Sequence, residues 1–153
     1  MRRLFWLSTV CLLAAALPAR AATGHVVKVL PLLLDQKGRQ ALSPSLYDRD
    51  AYQAQLRLHP EQRSGLRVAI EWKAKGPVWE PLKLRVELRG VAEGNLPKQR
   101  VYETAAGTTS WFGRWTSITL DREDYRELGE VTAWRVTLWE GSQLLGEQKS
   151  FLW

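Results

Sequence analysis

Polar and apolar residues change period along this chain, and each change marks an element. His25 to Leu34 is apolar with little polar alternation, the pattern of a buried strand, and Asp35-Gln36-Lys37-Gly38 supplies a turn after it. Tyr47, Ala51, Ala54 and Leu58 then recur at i, i+4, i+7 and i+11, which places them on one face of a helix over residues 46–58. Ser43 or Ser45 caps its start. His59-Pro60 ends it, because the ring of Pro60 disfavours helical geometry in the residue before it.

From Leu66 the period becomes two. Leu66, Val68, Ile70 and Trp72 alternate with Arg67, Ala69, Glu71 and Lys73, and Leu82, Leu84, Val86 and Leu88 alternate with Lys83, Arg85, Glu87 and Arg89. Both read as half-buried strands, separated by a loop over Gly76 to Pro81. Gly90 to Pro97 reads as a second loop, Lys98 to Thr104 as a short strand, Ala105 to Thr109 as a flexible link, and Phe112 to Leu120 as a strand. Asp121 has the character of an N-cap and Gly129 that of a residue past a helix end, which predicts a helical turn over 122–128. Val131 to Trp139 and Leu144 to Trp153 form a final strand pair, joined by a two-residue turn at Gly141-Ser142. That turn would set inward Val136 opposite Glu147 and inward Trp134 opposite Lys149, so a bulge or an edge position is expected there. About seven strands with turn signals between them predict a mainly β, antiparallel two-layer sandwich with one inserted helix.

The N-terminus has a different character. Arg2 and Arg3 precede an apolar run from Leu4 to Leu17, followed by Pro18 and the small-x-small sequence Ala19-Arg20-Ala21. This is the form of a cleavable signal peptide over residues 1–21, too short to span a bilayer, with a single β-sandwich domain at 22–153. Its removal takes three of the 22 basic residues and none of the 16 acids, which halves the formal +6 to +3. Cys11, the sole cysteine, goes with it, so the mature domain has no disulfide and no thiolate chemistry. Stability then rests on an apolar core. An exported protein of periplasmic or extracellular location is expected.

Candidate chemistry is sparse. His25 and His59 stand at no ligand spacing to each other, and Asp121, Glu123 and Asp124 occupy a helix start, where negative charge complements the dipole. No Gly-x-Ser-x-Gly and no glycine-rich phosphate loop occurs. No catalytic residue, metal ligand or cofactor is therefore expected, and the alternating charges of the two clear strands read as cross-strand ion pairs rather than a nucleic-acid patch. Aromatics are the exception. Seven tryptophans remain after Trp6 departs. Trp72 and Trp134 fall on inward faces. With Ile118 and Leu120 inward, strict alternation puts Trp111 and Trp115 outward, about 13 Å apart at roughly 3.3 Å per residue. These two, with Arg114 between them and Trp79 in the loop between two prolines, are the candidate ligand-binding residues. Gly113 is a candidate bulge that would turn Trp115 into the core instead.

Taken together, Ser43 to Tyr52, Leu82 to Gly90 and Gly129 to Trp153 resemble a family of small exported bacterial proteins of unknown role. The resemblance implies an immunoglobulin-like sandwich and no activity. The Cys, Trp, Cys pattern of animal immunoglobulin domains is absent. The expected function is a non-enzymatic exported module that binds a protein or cell-envelope component, with a carbohydrate-binding module built on the outward tryptophans as the alternative. A hydrolase with an unrecognised site comes third.

Overall fold

The computed structural model describes residues 22–153; the expected signal segment at 1–21 lies outside the described residues, as do the side chains of Ser110 and Trp111. The described residues form β1 (Thr23–Asp35), α1 (Leu46–Leu58), β2 (Arg63–Lys75), β3 (Leu82–Ala92), β4 (Leu96–Gly107), β5 (Ser110–Leu120), α2 (Arg122–Leu128), β6 (Glu130–Glu140) and β7 (Gln143–Lys149). They make two antiparallel sheets, ordered β1-β2-β5 and β4-β3-β6-β7. The period-two residues of β2 and β3 face each other across the layers. Val68, Ile70 and Trp72 meet Leu84, Val86 and Leu88 in one core, all six with no exposed surface. Each fully buried side chain of this size contributes roughly 1.5–3 kcal/mol through removal from water. Trp72 is the largest. Its indole N–H is satisfied inside by Thr116 Oγ1 at 2.9 Å.

Both helices fall where the sequence places them. Ser45 Oγ accepts from Asp48 N–H at the start of α1, Asp121 Oδ1 accepts from Asp124 N–H at the start of α2, and Gly129 follows α2. The buried face of α1 is not the expected one. Tyr47 and Leu58 are 82% and 78% exposed, Ala51 and Ala54 are exposed, and the helix instead buries Tyr52, Gln53 and Leu56. Hydrogen bonding decides this. Register puts Leu32 and Leu34 on the outer face of edge strand β1, where α1 covers them. There the Gln53 amide accepts from Leu33 N–H at 2.8 Å and donates to Leu33 C=O at 2.9 Å, as a neighbouring strand would. Tyr52 O–H donates to Asp35 Oδ2 at 2.7 Å. Satisfying a strand edge and a buried carboxylate outweighs the burial of two alanines.

Three boundaries differ from expectation. The segment expected as a loop at 90–97 is mostly strand, because Gly94 at φ 77° and Asn95 at φ 58° make a tight turn that lets β3 run to Ala92. The expected flexible link at 105–109 is strand as far as Gly107. The last strand stops at Lys149, and Ser150 N–H then bonds Trp134 C=O. The expected irregularity in the final pair is present. A shift between Leu138 and Trp139 sets Val136 opposite Gln148 and Thr137 opposite Glu147, so the glutamate faces out, and β7 is an edge. At that edge the two sheets come close enough that a Cβ on Gly146 would stand 2.6 Å from His25 Cα.

Candidate functional site

Strand β5 pairs with β2 in a register that fixes which side chains face out. Thr116, opposite Ile70, points inward to Trp72, so Trp115, opposite Glu71, points outward and is 53% exposed. Between Trp72 and Ala74 the partner strand carries two extra residues, since Trp72 pairs with Arg114 and Ala74 with Ser110. An irregularity therefore does sit at Gly113, yet it lies beyond Arg114, and the unbroken register from Leu120 to Arg114 keeps Trp115 outside. The Glu71 carboxylate fills the space over Gly113, where a Cβ would stand 2.2 Å from Oε1. Phe112, in the irregular segment, is 84% exposed. Arg114 is exposed, with Nη1 beside Gly107. The backbone of Trp111 belongs to β5, and its side chain lies outside the described part of the structure.

Beside Trp115 is a shallow pocket of about 200 Å³, lined by Gln40, Arg67, Ala69, Thr116 and Ser117. Its wall on one side is the segment after β1, held down where Gln53 Nε2 donates to Gln40 C=O at 2.9 Å. Among the described residues, Gln40 Oε1 has no hydrogen-bond partner and is buried. A buried carbonyl in that state favours any donor that reaches it. An indole, a guanidinium-bearing arginine and the Ser117 hydroxyl thus border one depression, with the Gln40 amide in its wall.

Trp79 belongs to a different place. The loops 76–81 and 108–109 and the turn 141–142 lie at one end of the sandwich, because Leu82 pairs with both Gly107 and Glu140. Glu140, buried between them, accepts from Trp79 N–H at 2.6 Å and Glu80 N–H at 3.3 Å, which fixes the backbone while the Trp79 indole stands 83% exposed. Phe112 lies toward the same end. Of the expected ligand residues, Trp79 therefore lies at this end and Trp115 on the outer face of β5, so the two are not brought together. Sequence reasoning missed Phe112, Gln40, Arg67 and Glu140. Only Gly113, as an irregularity inside a strand, signalled the first of them.

The opposite sheet presents charge. Glu87 accepts from Arg85 at 3.1 Å and from Arg135 Nε across to β6, Lys83 pairs with Glu103 at 3.1 Å, and Trp153 covers Arg89 at 4.0 Å and Arg135 at 5.0 Å. Lys83–Glu103 and Arg135–Glu87 are cross-strand pairs of the kind the alternating charges of β3 predict, while Arg85–Glu87 lies within β3. The Arg135 side chain beside Glu87 holds that carboxyl below the usual carboxylate range against the opposing effect of burial. Asp35 is buried as well, and sequence reasoning gave it only a turn. Burial alone would raise its pKa. Hydrogen bonds from Arg39 N–H, Tyr52 O–H, Lys37 N–H and the Arg39 guanidinium outweigh that and hold it at about 2. His59 Nδ1 stands 3.2 Å from Glu61, and His25 pairs in register with Lys73 on β1. Among the described residues no three His, Cys, Asp or Glu side chains are grouped to hold a metal ion, and no helix is long and apolar enough to cross a membrane.

No family model, curated protein or solved structure matches this chain.

Proposed function

We propose that this chain is an exported, non-enzymatic binding module of the kind its sequence resembles, acting outside the cytoplasm on a protein or cell-envelope component. The observation that carries the reading is the pair Trp79 and Phe112. Both are more than four-fifths exposed at one end of the sandwich, Trp79 on backbone held by Glu140 and Phe112 in a three-residue segment anchored on each side by paired residues of β5. Large aromatic surface on a fixed frame loses little entropy on binding, and loops at the end of a rigid sandwich are a common place for recognition.

The test is capture from an envelope extract by immobilised residues 22–153, with the Trp79→Ser/Phe112→Ser double variant as matched control. Both side chains lie outside the core, so the variant keeps its melting temperature. A component held by the wild type and lost by the variant supports the reading, whereas equal retention by both, or none by either, overturns it.

The pocket beside Trp115 favours carbohydrate as a second reading, since an exposed indole bordered by Arg67 and Ser117 suits a sugar ring and its hydroxyls. Tryptophan fluorescence titrated with a polysaccharide panel distinguishes the two. A response abolished by Trp115→Ala and untouched by the Trp79/Phe112 variant assigns the sugar reading, and an unchanged spectrum removes it.

A further inference from the structure

Helix α1 leaves its most regular apolar stripe in water. Tyr47, Ala51, Ala54 and Leu58 stand opposite the buried Tyr52, Gln53 and Leu56. Seven residues apart on one flank of the stripe lie Asp50 and Arg57. Asp50 is 71% exposed with Oδ1 held by Arg49 at 2.9 Å, and among the described residues the Arg57 guanidinium has no ion-pair partner. The other flank carries Asp48 and Gln55.

We infer that this stripe is the contact face of a two-fold dimer, in which α1 of one copy packs antiparallel on α1 of a second. The charges choose both the partner and the direction. A two-fold axis across the helices brings like flanks together in reverse order. The stripe is centred midway between Gln53 and Tyr52, so Asp50 lies about 4 Å to one side and Arg57 about 7 Å to the other at 1.5 Å per residue. Reversal therefore sets Asp50 of each copy within about 3 Å, along the axis, of Arg57 of the other. Two identical ion pairs then flank the stripe. Parallel packing would instead bring the Asp50 flank against the Asp48 flank, acid against acid. Ala51 and Ala54 at the centre let the backbones approach, while Tyr47 and Leu58 reach over the partner's ends. The face is a single helix, at the small end of the range for specific interfaces, so the dimer is weak and concentration-dependent. Trp79 and Phe112, toward the other end of the sandwich, stay free in it.

Sedimentation velocity of residues 22–153 over a wide concentration range tests this. A monomer–dimer equilibrium is expected, and Tyr47→Glu/Leu58→Glu, which alters only exposed side chains, abolishes it with no change in melting temperature. Asp50→Arg weakens association about ten-fold through loss of both pairs, and the exchange Asp50→Arg/Arg57→Asp restores it. A chain that is monomeric throughout, a dimer indifferent to Tyr47→Glu/Leu58→Glu, or an exchange that fails to restore association overturns the inference.

Discussion

At Gly129 the backbone takes φ 78° and ψ −156°, and a Cβ there would stand 2.1 Å from the Val91 carbonyl oxygen. The residue ends α2 and lets β6 begin beside β3 in the same step, so neither the turn nor the close approach can be relaxed alone. Gly38 shares the positive φ, at 73°, but none of the described residues lies within 4 Å of where its Cβ would be. Gly129 therefore combines a backbone conformation that only glycine adopts readily with crowding, where Gly38 has a positive φ and open space. Gly38→Ala is expected to cost about 1 kcal/mol, the strain of the left-handed region alone. Gly129→Ala, which adds a clash with main chain that cannot rotate away, is expected to cost about 3 kcal/mol or more. Urea unfolding midpoints compare them, and equal losses would mean that the contact with Val91 yields without strain.

Elements were legible in this sequence to the extent that side-chain pattern alone fixes them. Strands β2 and β3 show period two because one face is core and the other is water, and α1 and α2 show their ends because capping uses local residues. Which way α1 faces was not legible, since Gln53 on the edge of β1 and Tyr52 on Asp35 are contacts 20 and 17 residues apart in the chain. The same limit hid the exposure of Phe112, which depends on two extra residues opposite β2, and the pocket at Trp115, whose Gln40 wall comes from a distant loop. Glu140 shows how such a contact shapes an element: the carboxylate at the end of β6 holds the loop that carries Trp79. Glu140→Ala is expected to leave two N–H groups without their acceptor, at a global cost of about 1–2 kcal/mol. Amide exchange at Trp79 and Glu80 should rise well beyond that of the neighbouring strands, with earlier proteolytic cleavage between Gly76 and Pro81. Unchanged exchange at those two amides would show that the loop is held by something else.

At the scale of the whole molecule, two buried carboxylates tie parts that the chain order separates. Asp35 joins the end of β1 to α1 through Tyr52, and Glu87 joins β3 to β6 through Arg135, one on each sheet. Both pKa values lie below those of the unfolded chain, Asp35 at about 2 and Glu87 lowered by the Arg135 side chain. The unfolded state therefore binds more protons in the acid range, and stability rises with pH there. The contribution is complete above the ordinary carboxylate range and is lost as pH falls from about 4 toward 2, with Asp35 alone supplying about 2 kcal/mol. Unfolding free energy is accordingly expected to be nearly flat from pH 5 upward and to fall steeply below about pH 4. In the Asp35→Asn/Glu87→Gln double variant the neutral-pH value should drop while the acid slope becomes shallower, because the groups that released protons on folding are gone. A variant that lost stability equally at every pH would place the acid sensitivity elsewhere. The two carboxylates would then count as packing alone.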